Sequence, residues 1–333
     1  MAQPLTLVTG ATGFIGSAVA RALVERGHSV RVLVRKTSDR RNLTGLIASE
    51  IEGDLADPPS LKRAVQGCRY VFHVAADYRI WVPDPAPMLR SNVEGTKLLM
   101  QAALDAEVER IVYCSSVAAL GMSKDGTPAD ETLPVSEDSV VGIYKKSKYR
   151  AEQAVLAMVR ERGLPAVIVN PAAPVGPRDV KPTPTGRMVA DAAAGRLPAY
   201  VDTGLNVVHV EDVAMGHVLA LECGRIGERY ILGSENLMLA DLFALVAEEA
   251  GRKPPRIKLS RKMLYPLAIG FETAARLAKI DPLVTRDHLR MARKRMFFTS
   301  AKAELELGYR PRPARIAIRD AIAWFRAAGM VPA

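Results

Sequence analysis

Cysteine is nearly absent from this 333-residue chain: Cys68, Cys114 and Cys223 are the only three. Their number is odd and their wide spacing matches no zinc-ligand pattern. That excludes a disulfide framework and a cysteine metal site, and predicts buried thiols in a reducing cytoplasm. No metal is expected anywhere in the chain. Aromatic residues make up only 5%, too few to interleave with cations as a nucleic-acid surface does, and no nucleic-acid recognition motif is present. No apolar run approaches the ~18–20 residues that span a bilayer. The hydrophobic N-terminus lacks the charged region and cleavage site of a secretion signal, so a cytoplasmic protein without a membrane span is expected. There is neither an internal repeat nor a low-complexity tract.

What remains is ordinary globular composition, 49% hydrophobic and 25% charged, which rules out disorder, collagen-like repeats and coiled coil. A length above ~250 residues strains a single core, so two domains are expected. The formal net charge of +10 would suit an acidic partner such as nucleic acid, anionic lipid or phosphate, but it is unevenly spread. Residues 251–333 hold 19 lysines and arginines against 6 acids, whereas residues 1–250 hold 27 against 30. The basic character belongs to the C-terminal quarter.

The first half alternates apolar, β-branched runs with helix-length segments. Strands are predicted over 4–9, 29–34, 70–75, 110–115 and 165–170, and helices over 14–26, 88–106 and 143–162. Such βαβ alternation implies a parallel sheet with helices on both sides. A Pro-rich stretch from Pro171 to Pro184 reads as a long functional loop. Beyond it the pattern is mostly helical, over 211–221, 240–250, 262–278 and 316–327, with one strand over 228–232.

Directly after the first strand stands Gly10-Ala-Thr-Gly13-Phe-Ile-Gly16. Glycines there let the chain turn tightly and approach a pyrophosphate, and the following helix N-terminus faces the anion. Gly10, Thr12, Gly13, Phe14 and Ile15 are therefore candidate cofactor contacts. Ordinary dinucleotide folds carry an acidic residue at the end of the second strand, where it binds a free ribose 2′-hydroxyl. This chain has Arg35 and Lys36 instead, which suit a 2′-phosphate and favour NADP(H) over NAD(H).

Tyr144 and Lys148 are four residues apart in a helical segment and so share a face. A phenol is a poor base at neutral pH, but a nearby ammonium lowers its pKa. It can then exchange a proton with a carbinol or carbonyl oxygen while hydride moves at the same carbon. Ser115 and Ser116 end the fifth strand, at the sheet edge where ligands bind, and Ser116 can hold the substrate oxygen against Tyr144.

With these residues in this order, the chain resembles the extended short-chain dehydrogenases/reductases, the family of nucleotide-sugar epimerases and dihydroflavonol reductases. The likeness covers nearly the whole length and extends to Gly53-Asp54-Leu55, His73-Val74-Ala75-Ala76, Asn92-Val-Glu-Gly95, Asn170-Pro171 and His209-Val-Glu-Asp212. It is greatest with the hopanoid-associated sugar epimerase group of the dihydroflavonol-reductase-like branch, through Ala76-Asp77-Tyr78-Arg79-Ile80-Trp81, residues 181–187 and residues 291–298. The resemblance implies a Rossmann-type, doubly wound parallel sheet in an α/β chain. Residues 1–170, with returning segments near 205–235, would form the NAD(P)-binding domain, and residues 171–204 and 236–333 a smaller, mostly helical substrate domain. It also implies Ser116, Tyr144 and Lys148 as the catalytic group, and a homodimer through the helices of 88–106 and 144–162. Cofactor contacts would come from Asp54, Leu55, Val74, Ala75, Ala76, Asn92, Ser115, Tyr144, Lys148 and Pro171.

Family members that dehydrate or decarboxylate sugars carry acidic residues just after the catalytic hydroxyl. Here Val117, Ala118 and Ala119 follow Ser116, leaving plain hydride and proton exchange on a small molecule. Net carbonyl reduction and epimerisation through a ketone both remain open. A binding protein that senses NADP without turning over would be marked by loss of the Tyr-Lys pair, which is complete here. Tyr78 and Trp81 are candidates to stack on substrate, and Arg178 and Arg187 to hold a phosphate or carboxylate, whereas His209 reads as structural. A basic amphipathic segment around Met263, Leu264, Leu267, Ala268 and Phe271 is expected to cover the substrate pocket, with anionic membrane as the alternative surface.

Overall fold

The computed structural model describes residues 3–79, 81–123, 125–278 and 285–332; the side chains of Arg261, Lys262, Thr273, residues 276–278, His288 and Met291 lie outside the description. The chain begins with β1 (Leu5–Thr9), α1 (Phe14–Glu25), β2 (Ser29–Val34), β3 (Ser49–Glu52), α2 (Pro58–Val65) and β4 (Tyr70–His73). It continues through α3 (Ala86–Leu89), α4 (Gly95–Asp105), β5 (Arg110–Cys114), α5 (Ile143–Arg162) and β6 (Ala166–Pro171). Next come β7 (Ala173–Val175), α6 (Pro184–Ala193), β8 (Ala199–Val201), β9 (Gly204–His209), α7 (Val210–Cys223) and β10 (Arg229–Leu232). The last elements are β11 (Glu235–Met238), α8 (Leu239–Ala250), β12 (Ile257–Leu259), α9 (Arg261–Ala278), α10 (Arg286–Met291), α11 (Ala301–Leu307) and α12 (Ala314–Ala327).

Seven strands make one parallel sheet in the order β10-β6-β5-β4-β1-β2-β3. The fold is α/β and Rossmann-like. Because side chains alternate along a strand, Val8, Val32, Phe72, Val112 and Val167 enter the core under α1, α7 and α11. Leu7, Leu33, Val71, Ile111 and Ile168 enter the other, under α2, α4 and α5. Burial on both faces explains why these strands read as unbroken apolar runs. A third core joins α6, α8 and α12 around Val189, Leu242, Phe243, Ile318 and Phe325.

The structure departs from the sequence expectations at several places, and beyond Pro184, where one strand was expected, it has β8, β9, β10, β11 and β12. The helix predicted over 88–106 is interrupted by a wide π turn at Arg90–Glu94, where the Thr96 hydroxyl donates to the Asn92 carbonyl at 2.7 Å. The Pro-rich loop contains β7, in which Pro174 is tolerated because β7 is the outer strand of a three-stranded sheet, β11-β9-β7. Residues 204–209 belong to that small sheet, so the chain rejoins the large layer only with α7 and then β10. Cys68 and Cys114 are buried free thiols as expected, but Cys223, at the end of α7, is exposed.

His209 is fully buried and caps α7, its Nδ1 accepting from the Glu211 N–H at 3.1 Å. Arg312 lies 3.1 Å from the same ring nitrogen and donates to Asp212 at 2.8 Å, tying the segment before α12 to α7. The histidine is structural, as its setting before a helix suggested.

Candidate active site

Gly10 turns out of β1 at φ +76°, and a Cβ added there would lie 2.6 Å from the Ala75 nitrogen, closer than any side chain tolerates. Gly16 is as constrained, since its Cβ would lie 2.1 Å from the Gly10 carbonyl oxygen. The Gly13 N–H closes the turn onto that carbonyl at 2.9 Å, and Gly13 is the N-cap of α1 with no side chain over the helix end. Thr12, Phe14 and Ile15 surround this open N-terminus, which offers amides and a positive dipole end to an anion. The cradle fits the pyrophosphate of a nicotinamide dinucleotide.

The other cofactor candidates gather along the carboxyl edge of the sheet. Val74, Ala75 and Ala76 follow β4, Ser115 follows β5, and Pro171 ends β6. Asp54 and Leu55 follow β3; the Asp54 carboxylate accepts from the Ala56 N–H at 2.8 Å, and Leu55 packs on Gly95. At the end of β2, Arg35 and Lys36 are exposed. The other cations of that turn are engaged: Arg40 pairs with Glu50 at 2.8 Å and Arg41 with Asp39 at 2.6 Å.

Asn92 is placed by the π turn between two parts of the site. Its Oδ1 accepts from the Asp77 N–H at 2.7 Å, while its Nδ2 donates to the Asp77 carbonyl at 2.8 Å and to Ser147 Oγ at 2.9 Å. The whole amide is thus spent on anchoring the loop after β4 to α5. The neighbouring His73 is buried between Thr9 and Thr96, at 2.8 and 2.9 Å, and burial lowers its pKa to about 3, so it stays neutral. Thr9 also accepts from the Ala75 N–H at 3.2 Å. This chain of bonds fixes the wall formed by Val74 to Ala76.

Ser116, Tyr144 and Lys148 meet at the centre of this edge. Ser116 leaves β5 with its Oγ accepting from the Ala118 N–H at 3.1 Å, which turns the hydroxyl toward α5. Tyr144 keeps some exposed surface but is densely surrounded by protein, and burial pushes its pKa up to about 12, with the Ser116 hydroxyl pulling it back down. Lys148 is buried; its ammonium donates to the Cys114 carbonyl at 2.7 Å and sits 5.0 Å over the Tyr113 ring. The expectation that Lys148 lowers the Tyr144 pKa is not met in this geometry, because the ammonium is directed at β5. The opposing pull comes from Ser116 instead.

Residues 6–233 match the NAD dependent epimerase/dehydratase family. The chain belongs to that family. It is 41% identical over 330 residues to a provisionally named dihydroflavonol 4-reductase of Synechocystis sp., covering 97% of this chain and 95% of that one. It is 35% identical over 328 residues to sterol demethylase protein B of Methylococcus capsulatus, covering 98% and 99%. The crystal structure of gox2253 superposes with a TM-score of 0.90 at 63% identity, covering 99% of this chain and 100% of that one. Members bind a nicotinamide cofactor, and the glycine cradle described above fits its pyrophosphate.

Two further residues of this family member support the candidate catalytic group: Glu152, which belongs to no motif noted in the sequence, and Asn170, which the resemblance named without a role. Glu152, fully buried on α5, accepts from Asn170 Nδ2 at 2.7 Å and lies 3.5 Å from Arg229. The same Asn170 Nδ2 donates to the Ser116 carbonyl at 3.0 Å. Glu152 therefore steadies Asn170, and Asn170 steadies the backbone carrying the catalytic hydroxyl. Its position eight residues after Tyr144 and four after Lys148 was the available signal, since that spacing shares their helix face.

On the substrate side, Tyr78 is 38% exposed, and burial together with Asp179 and Asp77 raises its pKa. Trp81 is half-buried on the same loop. Asp179 is buried under the former Pro-rich segment, where it accepts from the Thr183 N–H at 2.9 Å and the Thr183 hydroxyl at 2.8 Å. Burial lifts its pKa to about 6. Arg21 of α1 has its pKa lowered first by burial and then by Arg178, which is exposed at φ +70° and so lies beside α1. Arg187 is exposed on α6. Lys145 stands next to Tyr144, its pKa brought down to about 8 by burial and by Lys294.

Proposed function

We propose that this protein is an NADPH-dependent carbonyl reductase. The observation that carries the reading is the meeting of Ser116 and Tyr144 at the carboxyl edge of the sheet, next to the glycine cradle: the Ser116 hydroxyl interacts with the phenol, and Tyr144 carries its proton at neutral pH. When bound, the reduced nicotinamide supplies the hydride to the carbonyl carbon. Tyr144 then gives its proton to the carbonyl oxygen, Ser116 holds that oxygen by a hydrogen bond, and Lys148 fixes the end of β5 and would hold the nicotinamide ribose. Val117, Ala118 and Ala119 offer no acid or base for any further step.

NADPH rather than NADH is supported by Arg35 and Lys36, which are exposed and in no salt bridge among the described residues, where a ribose 2′-phosphate would sit. The names of the two curated relatives, one a dihydroflavonol and one a sterol protein, favour a ketone on a largely apolar ring system, which Tyr78 and Trp81 suit. Epimerisation, by oxidation and re-reduction of a sugar-like or hopanoid-pathway carbinol on its opposite face, is the second reading, favoured by the resemblance to hopanoid-associated sugar epimerases. We propose a homodimer through α4 and α5, whose outer side bears a groove of about 710 Å³ bounded by Leu89, Val93, Lys97, Tyr149 and Ala154.

The test is a panel of ketones and sugar nucleotides with each cofactor. A reductase consumes NADPH in step with product, and an epimerase turns over with no net consumption. Arg35→Ser is expected to weaken NADPH by about tenfold to a hundredfold, corresponding to one or two charge-assisted hydrogen bonds, and to leave NADH nearly unchanged. Equal losses for both cofactors would overturn the assignment of the 2′-phosphate to this turn.

A further inference from the structure

The solvent face of α9 is apolar. Met263, Tyr265, Leu267 and Ile269 are 75%, 39%, 51% and 45% exposed, whereas Ala268, Glu272 and Ala275 are buried. At 3.6 residues per turn the outward arc is Met263, Pro266, Leu267, Gly270 and Ala274, flanked by Tyr265 and Ile269. It carries no charge, the reverse of an ordinary surface helix, and contiguous exposed apolar area of this kind marks an interaction site. The acid of this helix, Glu272, is turned inward and taken up by Arg286, whose N–H and Nε donate to it at 2.6 and 2.8 Å.

Along the chain leading into this helix the charge has one sign. Residues 251–271 contain Arg252, Lys253, Arg256, Lys258, Arg261 and Lys262 and no acid. The first four are exposed, and Ile257 between them is 57% exposed. Lys258 shares its charge with Asp202 at 2.9 Å.

We propose that residues 252–270 dock this protein on an anionic lipid surface. Cations supply the long-range attraction and the apolar arc supplies insertion, the combination that holds an interfacial helix in the plane of a bilayer. A second copy of this chain meeting the same face would set like charges against each other, which disfavours self-association as the use of the patch. No helix among the described residues is long and apolar enough to cross a membrane, so the contact is peripheral. Where the charge distribution alone suggested a pocket cover with its cations in water, the exposed arc shows α9 presenting apolar side chains outward as well. α10 packs on α9, and Asp287 of α10 lies 3.6 Å from where a Cβ on Gly142, the residue before α5, would stand. Delivery of an apolar ketone from the lipid would rest on the proposed function, but the docking does not.

The test is flotation of the full chain with phosphatidylcholine vesicles, with and without phosphatidylglycerol, at low and near-physiological salt. Binding is expected only with phosphatidylglycerol and should weaken as salt rises. Met263→Glu with Leu267→Glu should reduce it about tenfold or more, and Arg252→Gln with Lys253→Gln and Arg256→Gln by about fivefold per cation removed. These side chains are exposed, so unchanged melting temperature and unchanged NADPH binding confirm folded variants. No binding to phosphatidylglycerol vesicles, or binding that survives Met263→Glu with Leu267→Glu, overturns the proposal. So does a wild-type oligomer that the same pair of substitutions dissociates while vesicle binding is absent.

Discussion

Asp179 shows how a side chain invisible to motif reading shapes this site. Its carboxyl is buried and its pKa stands at about 6, against 3.8 for an exposed aspartate. The native state therefore holds the proton more tightly than the unfolded chain. The stabilisation from that proton is full below pH 3.8 and is lost as pH rises through about 6. Asp179→Asn, which removes the buried charge and keeps an acceptor for Thr183, is expected to stabilise the protein at about pH 8 by about 1–3 kcal/mol, with the gain shrinking toward pH 4. Urea unfolding at both pH values checks this, and a variant less stable than wild type at pH 8 would contradict it. Ser116, Tyr144 and Lys148 could be picked out as candidates because hydride chemistry needs those functional groups at fixed spacing. The roles of Glu152 and Arg312, and the role though not the presence of Asn170, were not legible, because they depend on partners 18 to 100 residues away.

The glycine turn is the element where local sequence and tertiary structure agree most tightly. Gly10 and Gly27 both have positive φ, +76° and +80°, but a Cβ meets nothing within 4 Å at Gly27 and meets the Ala75 backbone at 2.6 Å at Gly10. Gly27→Ala is expected to cost about 1 kcal/mol, the conformational term alone. Gly10→Ala must also push β1 from the loop after β4, and should abolish cofactor binding and cost at least about 3 kcal/mol. Thermal unfolding and fluorescence titration with NADPH separate the two; similar small losses at both positions would mean that the close approach to Ala75 is unimportant. Strand and helix periodicity located most other elements to within a residue or two, as for α5 over Ile143–Arg162. It failed at the π turn of Arg90–Glu94, since Asn92 is drawn out of register by the Asp77 backbone and Ser147. It failed at β7 as well, where pairing with β9 overrides two nearby prolines.

At the scale of the whole molecule, the scarcity of cysteine and the absence of a spanning segment narrowed the class of protein, and the charge divided it. The half that holds the cofactor cradle and Tyr144 is close to neutral, whereas the cations concentrate in the C-terminal quarter beside an apolar helix face. Two cores against the large sheet, a third under α6, α8 and α12 and a small fourth around Leu120, Ile231 and Phe298 border the crevice at the carboxyl edge of the sheet. Every catalytic candidate reaches that crevice from a strand end or from the first turns of α5. The substitution Tyr144→Phe addresses the role given to this arrangement most directly. With a ketone that the wild-type enzyme reduces, it should lower kcat by about 10²–10⁴ while leaving NADPH affinity within about twofold, because it removes the transferred proton and little else. A Tyr144→Phe enzyme that reduced the ketone at a near wild-type rate would contradict the account.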